Sequence, residues 1–197
     1  MSGKGKKIKN INSDFYSYIG NFTIGKKNGY GKEETNDYEY QGDFENDKMH
    51  GKGKILYKIN SDSYEGTFIN NAISGHGIYK WKNKEVYTGN LFDGKMHGFG
   101  IYQWPYGKEY IGEYENNLKN GPGYYKWKNG SSLKCSYNKG RLGNNGLYKE
   151  DNNSIEQKIN KKEIKEILKK NQPLENENSM LIYMDDSQET ITDLSSL

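Results

Sequence analysis

Aromatic residues and glycine alternate with polar residues along most of the chain, with the two-residue period of a β-strand. The stretch from Tyr87 to Trp104, YTGNLFDGKMHGFGIYQW, shows this most clearly. Counted from its first tyrosine as position 0, glycine stands at +2, +11 and +13, and large apolar residues stand at +4, +15 and +17. Successive side chains of a strand point to opposite faces, so the marked positions of each arm share one face. The Asp93-Gly94 step supplies the positive φ of a tight reversal, and the stretch predicts a β-hairpin.

The same pattern recurs at a steady interval of 22 to 24 residues. Five copies open with tyrosine, and a sixth, degraded copy opens with leucine. A period this regular predicts a repeat architecture in which each hairpin contacts its neighbours. The copies begin at Tyr18, Tyr40, Tyr64, Tyr87, Tyr110 and Leu133.

Glycines share a face with the aromatic rings, and this pattern predicts a single-layer antiparallel sheet that buries the rings on that face. A residue without a β-carbon leaves room for a ring from a neighbouring strand, and each well-covered ring contributes on the order of 1.5 to 3 kcal/mol. The intervening positions are mostly polar, so the opposite face is expected to contact water. The glycines expected to be structural are Gly42, Gly51, Gly53, Gly66, Gly75, Gly77, Gly89, Gly98, Gly100, Gly112, Gly121 and Gly123.

Composition narrows the class of protein. The mean hydropathy of −1.11 alone would suggest disorder, but 18 tyrosines and 24 glycines fall largely at fixed offsets. Arg141 is the only arginine beside 28 lysines and the net charge is +3, which argues against nucleic-acid binding. No apolar run suits a membrane span or a signal peptide, and the single Cys135 excludes an internal disulfide. We expect a soluble intracellular protein.

The segments outside the array have their own patterns. Residues 1–17 carry four lysines and predict a flexible basic arm, either solvated or in contact with anionic lipid or an acidic partner. The array itself is expected over residues 18–150. Residues 151–172 predict an amphipathic helix, with Ser154 as N-cap and Gln157 completing a capping box, docked within the protein or its assembly. Residues 173–197 are acidic and are expected to be extended or disordered; the apolar cluster at 180–184 would otherwise form a strand or enter a partner's groove.

The glycine and aromatic offsets resemble the MORN family (membrane occupation and recognition nexus), whose repeat reads approximately YxGxW, a turn, then HGxGxY. The motif is nearly literal in YQGDFENDKMHGKG from Tyr40 and in YTGNLFDGKMHGFG from Tyr87. The resemblance implies an elongated sheet of successive hairpins. It also implies roles as scaffolds and adaptors in cilia, junctions and the cytoskeleton, with binding of anionic phospholipid in some members.

Candidate chemical groups are few. His50 and His97 share position +10, and His76 stands at +12. They have no other metal-binding residue close to them in sequence, so duplication of the repeat explains these histidines better than a metal site does. Cys135 occupies a degraded glycine position with no histidine near it in sequence. We therefore expect no catalytic residue, no metal and no cofactor.

The aromatic face is the strongest candidate for a binding site, because tyrosine and tryptophan are enriched among interface hot spots. We expect a non-enzymatic adaptor that binds a helix or peptide of another protein, in a ciliary, axonemal (radial-spoke-like) or cytoskeletal assembly in the cytoplasm. The alternative is a peripheral membrane protein that binds anionic phospholipid through its lysines, and a homo-oligomer stays open. The expected contact residues are Tyr64, Phe68, Trp81, Tyr87, Trp104, Tyr110, Tyr114 and Trp127.

Overall fold

The computed structural model describes residues 2–11 and 14–171 of the 197-residue chain. The chain divides between Gly94 and Lys95 into two compact units, which we call the N-terminal unit and the C-terminal unit. The acidic tail expected at 173–197, with its apolar cluster, lies outside the described residues.

The N-terminal unit is one antiparallel sheet whose strands follow each other in sequence order. Its strands are β1 (Ser2–Ile11), β2 (Asp14–Thr23), β3 (Lys26–Thr35), β4 (Tyr38–Glu45), β5 (Lys48–Tyr57), β6 (Ser63–Ile69), β7 (Ala72–Lys80) and β8 (Val86–Phe92).

The C-terminal unit is also one antiparallel sheet, in the order β9-β10-β11-β12-β14-β15, with the short β13 paired to β12. A helix, α1, follows. The predicted antiparallel sheet of consecutive hairpins is thus confirmed in both units, and the predicted C-terminal helix is present in the C-terminal unit. The elements are β9 (Lys95–Gln103), a 3-10 turn (Pro105–Gly107), β10 (Glu109–Glu115), β11 (Leu118–Lys126), β12 (Ser132–Asn138), β13 (Arg141–Leu142), β14 (Asn145–Lys149), β15 (Gln157–Asn160) and α1 (Lys161–Lys170).

The turns within the repeats use two consecutive residues of positive φ, the geometry of a type I′ turn. Asn70 and Asn71 have φ of 52° and 74°. The Asn71 side chain also accepts a hydrogen bond from the backbone N–H of Met49 at 2.8 Å, and its own N–H donates to the Met49 carbonyl at 2.9 Å. Adjacent turns are therefore linked to one another as well as closed.

The +11 glycines have a different role from the one expected. In the second repeat Gly42 lies opposite Gly53 while Phe44 lies opposite Met49, so three residues of β5 face one residue of β4. Gly51 occupies this β-bulge with φ of 87°. Glycine is required there for its backbone conformation, and the room for a ring is provided by the +2 and +13 glycines.

The position-0 tyrosines lie over the glycine pair of their own repeat. A β-carbon at Gly53 would lie 2.3 Å from the Tyr40 hydroxyl oxygen, and one at Gly42 would lie 2.5 Å from it. The Tyr40 hydroxyl donates to the Asp43 carbonyl at 2.9 Å, which holds the ring along the strand. The glycines and the ring therefore form one packing unit in the repeats that begin at Tyr18, Tyr40, Tyr64 and Tyr110.

Both ends of the predicted array need correction. Within the expected flexible arm at 1–17, Ser2–Ile11 is instead a regular strand, because it pairs with Asp14–Thr23 along its length. The expected helix start at Ser154 is wrong, since Gln157–Asn160 pairs with β14 as a strand. The Ser154 hydroxyl and N–H donate to the Asp151 carboxylate in a local turn.

The helix itself begins six residues later than the pattern suggested. Asn160 is the N-cap of α1, and its side chain accepts from the N–H groups of Lys162 and Glu163, while the Glu163 carboxylate accepts from the Asn160 N–H at 2.8 Å. Ile164 and Leu168 are buried against the sheet, where α1 contacts β14 and β15. The helix therefore docks on its own unit.

Candidate functional site

The structure divides the eight aromatic residues expected to bind a partner into two groups. Six are buried by the protein's own side chains, because rings of adjacent repeats meet edge to face; Tyr40 and Phe68, for example, lie 5.0 Å apart at 82°. Trp81 and Trp104 are half-buried and keep surface for a partner. The six buried rings are Tyr64, Phe68, Tyr87, Tyr110, Tyr114 and Trp127.

Trp81 belongs to a row of half-buried aromatic side chains at one end of the strands of the N-terminal unit. We call this row the aromatic rim; it consists of Tyr16, Tyr38, Tyr57 and Trp81. Tyr38 and Tyr57 are direct cross-strand partners. The expected contact residues include only Trp81 of the rim and miss Tyr16, Tyr38 and Tyr57. Tyr16 and Tyr38 each stand two residues before a position-0 tyrosine and so share its face.

Two buried carboxylates hold the rim in place. The Glu33 side chain, 4% exposed, accepts from the Tyr16 hydroxyl at 2.9 Å and from the Tyr38 hydroxyl at 2.8 Å, and it is paired with the Lys27 ammonium. Burial raises the pKa of both phenols, and the Glu33 charge raises it further. The hydroxyls therefore stay neutral donors, and the rings keep one orientation.

Asp62 supports the rim indirectly, through Tyr79, whose ring centroid lies 4.6 Å from that of Trp81. The Asp62 carboxylate accepts from the Tyr79 hydroxyl at 3.2 Å and from the Lys82 N–H at 2.9 Å. Burial, with the Asp62 charge second, raises the pKa of Tyr57 to about 12 and also raises that of Tyr79. The rim is thus a fixed aromatic surface over internal acidic groups.

Replacing Glu33 by alanine tests this support. We expect the free energy of unfolding to fall by about 3 kcal/mol or more, because the Lys27 ammonium and two phenols lose a buried acceptor. The measurement is urea unfolding followed by circular dichroism. Glu34→Ala is the matched control, since its contact with Lys58 lies at the surface and should be worth about 1 kcal/mol or less. Equal losses in the two variants would contradict a supporting role for Glu33.

The C-terminal unit carries a lysine surrounded by rings. The Lys119 side chain is buried, and its ammonium lies 5.1 Å from the Tyr110 ring centroid and 5.4 Å from that of Tyr125. The Lys108 ammonium lies 4.4 Å over the half-buried Trp104. Cation–π contacts of this kind stabilise both the charge and the ring positions. The prediction missed this group.

A signal for the buried lysines is present in the sequence. Lys27 and Lys119 both stand at position +9 of their repeats, where the other copies carry Met49, Ile73 and Met96. All three apolar residues are buried. A lysine at +9 therefore has to find internal partners, which are Glu33 in one unit and aromatic rings in the other.

The opposite face of the sheet is less uniformly polar than expected. In the C-terminal unit Ile101 lies opposite Ile111, and Ile111 lies opposite Tyr124. These three side chains are half-buried, and Phe99 nearby is 57% exposed. The predicted wet face therefore describes the charged N-terminal unit better than the C-terminal one.

Metal and thiol chemistry have little support in the described part of the chain. No group of three or more His, Cys, Asp or Glu side chains within residues 2–11 and 14–171 is placed to hold a metal ion. His50 lies 3.6 Å from the Glu45 carboxylate at the surface, and Cys135 is buried. Among the same residues, no helix has the length and apolar character needed to span a membrane.

Contacts between hairpins define a repeat protein in which each repeat is covered by its neighbours. A family model described as MORN repeat matches residues 18–38, 40–61, 64–86, 87–107 and 110–132, and the chain belongs to this family. Membership fits a protein-interaction scaffold. The degraded sixth copy from Leu133 lies beyond these matches.

One similar solved structure is the TCP domain of SAS-4 (dCPAP) from Drosophila melanogaster, in complex with a proline-rich motif of Ana2 (dSTIL). The two chains are 9% identical, the match covers 78% of this chain and 88% of that one, and the TM-score is 0.47. A likeness at this level supports no conclusion about function.

Proposed function

We propose that the protein is a non-enzymatic adaptor that binds an amphipathic helix of a partner protein along the aromatic rim. The observation that carries this proposal is the row of four half-buried aromatic side chains, of which Tyr16 and Tyr38 donate to Glu33 and Trp81 packs on Tyr79, a partner of Asp62. Aromatic side chains that are already fixed lose little conformational entropy on binding. Tyrosine and tryptophan are also enriched among the residues that contribute most of the binding free energy of an interface. A helix suits the rim because its apolar side chains recur every three or four residues along one face.

The chain's own helix supports this mode of contact. Ile164 and Leu168 are spaced four residues apart and are both buried on the sheet. A β-carbon at Gly146 would lie 3.1 Å from an Ile164 methyl, so the helix approaches a repeat glycine closely. A partner helix is proposed to use the same spacing of apolar side chains on the rim.

The proposed setting is a ciliary, axonemal or cytoskeletal assembly in the cytoplasm. This part of the proposal rests on membership of the MORN family, whose members are expected to act as scaffolds, and not on a feature of the rim. Identification of the partner would decide it.

Binding of anionic lipid through lysines is the alternative. Lys4, Lys6, Lys7 and Lys9 are all exposed on β1, which favours an anionic partner. Their strand positions place two of them on each face, however, so a flat membrane would meet only half of the charge. We therefore prefer the adaptor.

Trp81→Ala tests the rim directly. We expect it to reduce recovery of the main partner from source-cell extract by about tenfold or more, since a hot-spot truncation costs about 2 kcal/mol or more. The measurement is quantitative mass spectrometry of proteins that co-purify with the tagged full chain. Tyr30→Ala is the matched control, because Tyr30 is an exposed aromatic residue of the same unit with the Gln41 side chain as its partner.

The variant must keep the melting profile of the wild-type chain for the comparison to hold. Undiminished recovery by a folded Trp81→Ala protein would overturn the rim proposal. Flotation with phosphatidylserine vesicles across a salt series distinguishes the alternative. Binding through lysines weakens as the salt concentration rises, because the Debye length then falls below about 10 Å.

A further inference from the structure

β1 has the register of the second arm of a repeat. In the regular repeats the second arm places its +13 glycine opposite the +2 glycine of the next repeat, and its +11 glycine opposite the +4 residue. β1 does the same, since Gly5 lies opposite Gly20 and Gly3 lies opposite Phe22. By its pairing, β1 is therefore equivalent to β3, β5 and β7.

Each of those three strands has the first arm of its own repeat at its other edge. That first arm supplies the tyrosine over the +13 glycine. A β-carbon at Gly31, Gly53 or Gly77 would lie 2.3 to 2.5 Å from the hydroxyl oxygen of this tyrosine. A strand and a ring together thus complete the second arm of every regular repeat in the N-terminal unit.

β1 has neither within the described residues. Its outer edge pairs with no strand among them, and the atoms nearest to a β-carbon at Gly5 belong to Phe22, on the strand at its inner edge. At Gly3 a β-carbon would meet nothing within 4 Å. The edge therefore offers unpaired backbone groups. The Phe22 ring, 2.9 Å from a β-carbon at Gly5, covers the glycine that a first-arm tyrosine covers in the regular repeats.

We propose that the outer edge of β1 binds a segment of a partner protein as an added antiparallel strand, with the sequence Tyr-x-Gly-x-aromatic and acidic residues between. The added strand takes the place of a first arm: its tyrosine covers Gly5, from which the Phe22 ring moves aside, and its glycine lies opposite Gly5 so that the backbones can approach. Backbone hydrogen bonds supply affinity, and the ring supplies specificity.

Charge selects the partner. Lys4, Lys6, Lys7 and Lys9 are exposed on β1, so an acidic strand is attracted to either face of it. A second copy of β1 would bring lysines opposite lysines, which disfavours pairing of two such edges. The contact uses the backbone of β1 and not the aromatic rim, so the two proposals can fail independently.

The chain contains a suitable probe. The β4 sequence YEYQGDFE, residues 38–45, is a first arm that carries Glu39, Asp43 and Glu45. In its own repeat Gln41 lies opposite Lys54, the position that Lys6 occupies in β1. A labelled peptide of this sequence is expected to bind the full chain saturably, and the Gln41→Glu peptide should bind more tightly because its carboxylate would face Lys6.

Fluorescence anisotropy and hydrogen exchange together test the site. The peptide should slow amide exchange in residues 2–10, and its Gly42→Val form should bind at least about tenfold more weakly because the backbones cannot approach. In the protein, Gly5→Val should weaken binding by about tenfold or more. Lys6→Glu should do the same without altering the packing at Phe22. Melting profiles confirm that each variant is folded.

Three results would overturn the proposal. They are equal binding of a scrambled peptide of the same composition, unchanged affinity in both protein variants, and slowed exchange outside β1 only. Protection of β1 by phosphatidylserine vesicles without any binding of the peptide would assign the edge to a membrane surface instead, and would also overturn it.

Discussion

Valine at Gly53 is expected to lower the free energy of unfolding by about 4 kcal/mol, an effect larger than that of most single substitutions. Its β-carbon would lie 2.3 Å from the Tyr40 hydroxyl oxygen and 2.5 Å from a carbon of the ring. The ring cannot move aside, since its hydroxyl donates to the Asp43 carbonyl and its faces meet Phe44 and Phe68 at centroid distances of 5.1 and 5.0 Å. Overpacking of a rigid site is the cause.

Gly3→Val is the matched control for this prediction. It makes the same chemical change on the same face of the sheet, but no atom lies within 4 Å of its β-carbon and its φ is not positive. The expected change is within about 0.5 kcal/mol. Urea unfolding followed by circular dichroism measures both variants, and a similar loss from the two would refute the packing of Tyr40 on its glycines.

A double variant separates steric conflict from a change in backbone propensity. If the clash with the ring is the cause, the losses of unfolding free energy will not add. The double variant Tyr40→Ala, Gly53→Val should lose less than the sum of the two single variants, by about 1 kcal/mol or more. Strict additivity would instead attribute the loss to the backbone of residue 53.

The sheet and its buried face were predictable because parity in a strand is a local property. Tyr40, Gly42 and Phe44 share a face whatever the rest of the chain does, and their repetition indicates that neighbouring copies cover them. The bulge was not predictable in the same way. The +11 glycine keeps the parity of the +13 glycine in sequence, and only the pairing shows that it takes a left-handed conformation.

The predictions for the two ends of the array were wrong for different reasons. At the N-terminal end, the charge of four lysines favoured a flexible arm. The spacing of Gly3 and Gly5, which matches positions +11 and +13 of a repeat, favours a strand. At the helix, Ser154 and Asn160 both precede a residue that can complete a capping box three positions later. Pairing of Gln157–Asn160 with β14 decides between them, and this is a tertiary contact.

The candidate site was predicted only in its chemistry. The tryptophans at +17 share an offset but not a degree of burial. Trp127 is buried, whereas Trp81 and Trp104 are half-buried and keep exposed surface. The sequence offset does not determine this difference, because it depends on which side chains cover each ring.

Raising the pH above about 10 is expected to unfold the N-terminal unit over about one to two pH units. Tyr40, Tyr64, Tyr79 and Tyr87 have no exposed surface. Burial raises the pKa of all four phenols, to about 12 for Tyr64 and higher for the others, with carboxylates adding to the shift at Tyr40 and Tyr79.

The sign of the effect follows from the direction of these shifts. A phenol whose pKa is higher in the folded state contributes stability that is fully present below its unfolded pKa of about 10 and is lost as the pH rises toward the folded value. Each contributes a slope of about 1.4 kcal/mol per pH unit, so four together lose about 5 kcal/mol per unit. A domain with a typical stability of about 5 to 15 kcal/mol should unfold before its buried phenols ionise in place.

Circular dichroism and the near-ultraviolet absorbance of tyrosinate, recorded on the same samples from about pH 8 to pH 12, measure this transition. The two signals should change together, because the buried tyrosines ionise only in the unfolded chain. Tyr87→Phe should make the loss of stability with pH less steep, since one of the coupled ionisations is removed. Tyrosinate that forms while the sheet signal persists to about pH 12 would show that these phenols reach solvent within the fold.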